Sequence, residues 1–197
     1  MSDVQICNLA LSHIGARSTI SSLNEQSAEA QQCKAWYDIV RKDILQRHNW
    51  SFARRRLTMA LIEQNPAPEW RYRYALPHDW IAVRYLEHPA GADADALPFD
   101  LEASLSGAEM TLLTNADAAK AIYTFDQTYT NMFSDKFRIT LSWGLAAVLA
   151  VPITGDERRA QYAQQIYMTV LEQAMGSDAG QAISEPPREA EAIRARL

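Results

Sequence analysis

The sequence predicts a mainly α-helical fold: a four-helix bundle core carrying a small inserted antiparallel sheet and ending in a C-terminal extension. Three observations predict it. Apolar residues recur every three or four positions near both ends of the 197-residue chain, the spacing of one helix face. The middle holds short runs of β-branched and aromatic residues broken by turn formers, the texture of strands. Residues 177–197 begin polar and pass through Pro186-Pro187. The expected boundaries are 1–66 and 131–176 for the two halves of the bundle, 67–130 for the sheet insertion and 177–197 for the tail.

The first helix opens on Ser2-Asp3-Val4-Gln5, a capping box in which Ser2 and Gln5 satisfy each other's backbone amides. Val4, Ile6, Leu9, Ala10 and Ile14 make its apolar face, and Gly15 supplies the left-handed stop. After a loop over 16–24, a second helix is expected from about Gln26 to Arg47, striped by Ala30, Cys33, Trp36, Tyr37, Val40 and Ile44. Arg47 and His48 suit the negative end of its dipole. Pro66 and Pro68 then interrupt the chain, and a sheet is placed at about 69–126. Its expected strands are Trp70–Ala75, Trp80–Leu86, Glu109–Thr114 and Ala119–Phe125, with 87–107 as a loop. Ser134 caps a third helix, Asp135 to about Val151, apolar nearly all round and so the central one, with Pro152 at its end. Thr154-Gly-Asp-Glu157 reads as a second capping box opening a helix to Met175, stopped by Gly176. A short helix in the last residues would be marginal on its own in water.

Hydrophobic residues make up 48% of the chain, enough for a real core, and the 22% charged residues with only seven glycines exclude a fibrous or disordered class. The longest uninterrupted apolar stretch, Gly144–Ile153, is ten residues and too short to span a bilayer. No basic-apolar-cleavage pattern opens the chain, so no secretory signal is expected. Cys7 and Cys33 fall in helical patterns, which fits two buried thiols in a reducing cytoplasm. The net charge of −5 is uneven: residues 61–135 carry twelve Asp/Glu against four Lys/Arg. That acidic third repels a nucleic-acid backbone, which disfavours a dedicated DNA-binding role.

Few motifs carry chemistry. His13, His48, His78 and His88 form no zinc-ligand spacing, and there is no nucleophile elbow, phosphate-cradling glycine loop or dinucleotide fingerprint. No cofactor is expected. Asp93, Asp95, Asp100, Glu102 and Glu109 could supply a glycosidase pair, although a solvated acidic loop reads the same way. Arg54-Arg55-Arg56 is the sole basic run. It suits contact with phosphates or with a neighbouring subunit, or else a helix end whose stems cover Trp50 and Phe52. Tyr72, Tyr74, Trp80 and Tyr85 are stacking candidates that ordinary sheet packing also explains.

Four segments stand in a distinctive order. They are Asn8-Leu-Ala-Leu-Ser-His-Ile-Gly15 with Ile20-Ser-Ser-Leu23; Trp50-Ser-Phe-Ala-Arg-Arg-Arg56; Tyr74-Ala-Leu-Pro-His-Asp79; and Leu145-Ala-Ala-Val-Leu-Ala150 with Ile153-Thr-Gly-Asp156. In this order, over about 1–176, they resemble the podovirus head-to-tail adaptor family, also called tail tubular protein A. The resemblance implies a non-enzymatic virion protein of a phage or prophage, made in the host bacterial cytoplasm and placed at the head–tail junction. It implies assembly on the portal as a ring, typically of twelve copies, joining the portal to the tail nozzle around a DNA passage, with no membrane. It also implies a C-terminal extension reaching the portal, here with Arg188, Ile193, Arg194, Arg196 and Leu197 as contact candidates. The acidic third would then border the channel, where like charge keeps DNA from adhering. Two other classes stay in view: a cell-wall glycan hydrolase using the acidic middle, and a helical nucleic-acid-binding regulator built on residues 36–56.

Overall fold

The chain is 47% helical and 24% strand, with seven strands in two antiparallel sheets among the described residues. The expected four-helix bundle with a small insertion is therefore overturned, and the fold is mixed α/β. The computed structural model describes residues 1–88, 96–104 and 106–180.

The helical layer follows its sequence closely at the start. Helix α1 (Asp3–His13) has the expected capping box, with Ser2 Oγ accepting from Gln5 N and Gln5 Oε1 accepting from Ser2 N. Gly15 takes φ +65°, and the Arg159 guanidinium donates to the Ile14 carbonyl, closing the helix end. Helix α2 (Ala28–Arg47) starts two residues later than expected because Ser27 is its N-cap. Helix α3 (Asp135–Thr154) is the element against which α1, α2 and α4 all pack. Its buried stripe includes Phe137, Leu141, Leu145 and Leu149. At Gly144 a Cβ would fall 2.9 Å from Val40 Cγ1 and 3.1 Å from Tyr167 Cε2, so glycine lets α2 and α4 close on α3.

Three helical details depart from expectation. Pro152 lies inside the last turn of α3, which continues to Thr154 and stops at Gly155 in the left-handed region. The N-cap of helix α4 (Glu157–Ala179) is Asp156, accepting from the Arg158 and Arg159 amides, so Thr154 is not the cap of a box. Gly176 does not stop α4, so the tail begins later than residue 177. In length and composition α3 could also cross a membrane, contrary to the ten-residue stretch read from the sequence. Half of that window is nonetheless buried inside this protein.

The strands begin well before Pro66. They are β1 (Arg54–Thr58), β2 (Ala60–Ala67), β3 (Trp70–Ala75), β4 (Trp80–Leu86), β5 (Phe99–Ala103), β6 (Met110–Thr114) and β7 (Lys120–Phe125). One sheet runs β1-β7-β4, the other β2-β3-β6-β5. Residues 54–66, expected in the helical half, are thus sheet, and β5 lies where a loop was expected. The physical reason is exposure. Every residue of β1 and the first six of β2 are solvent-exposed, so no alternation of apolar and polar residues marks them. Pro66 is tolerated because β2 is an edge strand.

Between β1 and β2 only Met59 intervenes; it is buried, and its amide donates to the Ala119 carbonyl. The chain thereby steps from one sheet to the other. A second, smaller core forms there from Met59, Tyr74, Leu86, Leu112, Ala119 and Ala121. Polar bonds join the sheets to the helices. Arg84 on β4 donates to the Leu45 and His48 carbonyls at the end of α2 (2.9 and 2.6 Å) and to Thr124 Oγ1 on β7 (2.8 Å). Arg41 on α2 is 2% exposed and bonds Asp126 and the Gln127 carbonyl, just beyond β7.

Candidate functional site

The basic run is the one sequence-derived candidate that the fold turns into a defined surface. Arg54, Arg55 and Arg56 are not a helix end covering Trp50 and Phe52. They lie on β1, paired with Thr124, Tyr123 and Ile122 of β7, and among the described residues the other edge of that sheet is β4. Strand alternation sends Arg55 to one face and Arg54 and Arg56 to the other. Arg55 pairs with Asp79 and stacks its guanidinium 3.5 Å from the centre of the Phe125 ring. On the opposite face, a hollow of about 240 Å³ is lined by the arginines with Tyr85 and Ile122. Arg56 meets Glu87 only at 3.6 Å, and Arg54 has no ion pair among the described residues. That face can take an acidic partner.

A second concavity, about 810 Å³, opens on the helical side. It lies between the start of α1, the loop Ser21–Asn24, α2 and residues 128–131. Asn8 shapes it by holding Ile20 at both ends, accepting from the Ile20 amide and donating to its carbonyl, each at 2.8 Å. Glu25 fixes the loop further, accepting from Ser21 N, Ser21 Oγ and Ser22 N. Those bonds hold its carboxyl below the usual range. Tyr37 lines the groove with a buried hydroxyl that has no partner in the structure, and burial pushes its pKa up. Arg41, at the same wall, is already saturated by Asp38, Asp126 and the Gln127 carbonyl.

The carboxylate candidates do not converge. Asp93 and Asp95 lie outside the described residues. Asp100 and Glu102 sit two apart on edge strand β5, both exposed, and Glu102 pairs with Arg73 at 3.1 Å. Glu109 is exposed beside β6. Neither concavity above is lined by any of the three. The contact candidates Arg188, Ile193, Arg194, Arg196 and Leu197 also lie outside the described residues. Of the aromatic candidates, Tyr74 is buried with its hydroxyl donating to the Ala116 carbonyl, whereas Tyr85 is exposed.

Sequence reading missed one polar cluster. Asp178 near the end of α4 is buried and accepts from Ser51 N (3.0 Å) and Ser51 Oγ (2.7 Å), with His48 Nε2 at 3.3 Å. The Ser51 hydroxyl therefore donates to the carboxylate and not to the imidazole, the reverse of what an activated serine needs. The cluster ties α4 to the turn after α2. No pattern in the sequence relates positions 127 residues apart. Cys7 and Cys33 are buried free thiols. Hydrogen bonding to Cys33 and burial push the Cys7 thiol up, so it stays protonated. Among the described residues, no three His, Cys, Asp or Glu side chains group as metal ligands. No family model matches this chain, and no curated protein matches it either.

Proposed function

We propose that this chain is a ring-forming adaptor subunit of a short-tailed phage or prophage. In this reading it sits at the head–tail junction of the virion, with the portal protein on one side and the tail nozzle on the other. What supports the proposal is that residues of the adaptor-like segments hold the fold together, the second segment pairing with the third. Asn8 of the first segment bonds Ile20 of the loop that follows it. Arg55 of the second pairs with Asp79 of the third, 24 residues on. Trp50 is fully buried, its indole N–H donating to the Ile44 carbonyl, and its ring meets Phe137 of α3 edge-on.

The test is to mix the purified chain with portal rings from the same phage genome and image the product by electron microscopy. The proposal predicts an added ring of density on one face of the portal, with one adaptor copy per portal subunit. Intact portals that acquire no density at any adaptor excess would overturn it.

A further inference from the structure

We propose that the free edge of strand β1 is a docking site for an extended acidic segment of a partner protein, which adds to the sheet as an antiparallel strand. The surface stands whether or not the chain builds a ring. A sheet edge offers a row of backbone donors and acceptors, and stable folds block the edges they do not use. Strand β2 pairs with β3 through two register shifts, and carries Pro66 and a positive φ at Asn65. Strand β4 also has two register shifts. On β5, Asp100 caps the Leu101 amide and Glu102 is drawn to buried Arg73. Strand β1 keeps an unbroken register along all five of its residues on β7, and all five are exposed. Met59 N donates to the Ala119 carbonyl, which sets Arg55 and Leu57 as the residues bonded to β7. The amides and carbonyls of Arg54, Arg56 and Thr58 therefore point outward, and none has a hydrogen-bond partner among the described residues.

The side chains around that row define the strand that fits it. Arg54 and Arg56 share one face with Thr124, Ile122 and Tyr85, their neighbours across the sheet. Arg84 donates to Thr124 Oγ1 at 2.8 Å, so a third guanidinium lies on that face. Arg54 has no ion pair among the described residues, and Arg56 meets Glu87 only at 3.6 Å. On the reverse face Arg55 is already engaged by Asp79 and Phe125, and Leu57 beside it is 45% exposed. An incoming antiparallel strand exchanges backbone bonds with Arg56 at one residue and with Arg54 two residues later. Those two residues project on the arginine face, roughly 6.7 Å apart, which suits carboxylates. The residue before the first of them lies opposite Leu57, which suits an apolar side chain. The recognised pattern is thus apolar, acidic, any, acidic. Main-chain bonds supply affinity and the arginines fix the register. A nucleic-acid strand has no matching row of amides and carbonyls to offer. The acidic third of this chain, which supplies β4 and β7, also repels phosphates.

The experiment titrates the full chain into rhodamine-labelled hexapeptides at low salt and reads fluorescence anisotropy. One peptide, Thr-Val-Glu-Thr-Asp-Thr, fits the pattern; the other, Thr-Val-Thr-Glu-Asp-Thr, has the same composition with its acids adjacent. The patterned peptide is expected to bind about threefold more tightly, the worth of one cross-strand charge pair. R54E/R56E is expected to bind it about tenfold more weakly, and to bind instead a version with lysine at both acidic positions. N-methylation of those two peptide residues is expected to abolish binding to the wild type, because their amides face the Arg56 and Arg54 carbonyls. With the patterned peptide bound, hydrogen exchange is expected to slow at the amides of Arg54, Arg56 and Thr58 and to stay unchanged at Arg55 and Leu57. Both substituted positions are exposed, and matching far-UV spectra and melting temperatures check that the variant is folded. No binding at millimolar peptide, equal binding of the two peptides, binding that survives N-methylation, or a lysine peptide that ignores the folded variant would each overturn the proposal. So would a short oligothymidylate that binds the wild type more tightly than the patterned peptide, since the arginines would then be a phosphate site.

Discussion

In the helical layer, α3 is enclosed by three other helices, and Phe137, Leu141, Leu145 and Leu149 have no exposed surface. In the sheets, β1 has no buried residue, and among the described residues the shared core gathers six buried side chains with partly buried ones packed against them. Apolar burial is the main favourable term in folding, so stability concentrates on the helical side. Surface that is ordered yet left unpaired concentrates on the sheet side. The difference teaches that one layer serves as scaffold while the other keeps ordered strands whose side chains stay at the surface. The two buried clusters are separate, and the layers are joined by the charged side chains Arg41 and Arg84 together with Ile81 of β4, which packs against the helical core.

The largest test of that contrast is Phe137→Ala, which removes a ring meeting Trp50, Phe52 and Phe133. It is expected to cost about 3–5 kcal/mol and to abolish cooperative unfolding of the whole chain in urea melts. Helices that survive this change with unaltered stability would break the comparison. Next is the joint. Arg41→Ala leaves Asp126 without its main partner and is expected to cost about 2–4 kcal/mol, at or below the range for a broken buried pair because Asp126 is partly exposed. Burial alone would push the Asp126 carboxyl up, but the Arg41 bond and the charges of Arg41 and Lys42 hold it below its ordinary value. A depressed carboxylate adds stability above its unfolded pKa of about 4 and loses it as pH falls further. Asp126→Asn should therefore flatten the acid limb below pH of about 4 in melts taken across pH.

Gly144→Ala comes third, at about 1–3 kcal/mol, because the added methyl meets Val40 and Tyr167. A melting temperature unchanged by this variant would mean that α2 and α4 do not close on α3 as described. Smaller still is His13, stacked on Trp143 at 3.8 Å with Nε2 3.1 Å from Ser142 Oγ. Burial lowers its pKa, so it favours the fold above its unfolded value of about 6.5 and opposes it as pH falls. His13→Gln should remove a shallow loss of stability on moving from pH of about 7 to 5, seen in thermal melts. Arg54→Ala should change stability by no more than about 0.5 kcal/mol, since the side chain is exposed and has no ion pair among the described residues. A larger loss would mean that β1 belongs to the scaffold.

How much was legible in the sequence follows the same division. The Ser2–Gln5 capping box, the Gly15 stop and the apolar stripe of α3 are local signals, and each produced the element it announced. Strand β1 gave no such signal: Arg-Arg-Arg-Leu-Thr is exposed on both faces, so burial imposed no alternation. In β5 the alternation of Phe99 and Leu101 with Asp100 and Glu102 was present, but only two apolar positions stood beside a stretch rich in Ala, Gly and Asp. The basic run was visible as charge. Its division, with Arg55 on Asp79 and Phe125 and the other two arginines opposite, depends on β7 lying alongside. Such long-range pairing leaves no local trace.

Hydrogen exchange on the dilute chain and on the chain assembled with portal rings tests the division between scaffold and edges most directly. The account predicts that the outward amides of Arg54, Arg56 and Thr58 on β1 and of Phe99 and Ala103 on β5 exchange readily in the free chain and become protected on assembly, while those of α3 stay unchanged. Protection that appears only around the groove of Ser21–Asn24 and Tyr37, with both strands exchanging as before, would contradict it.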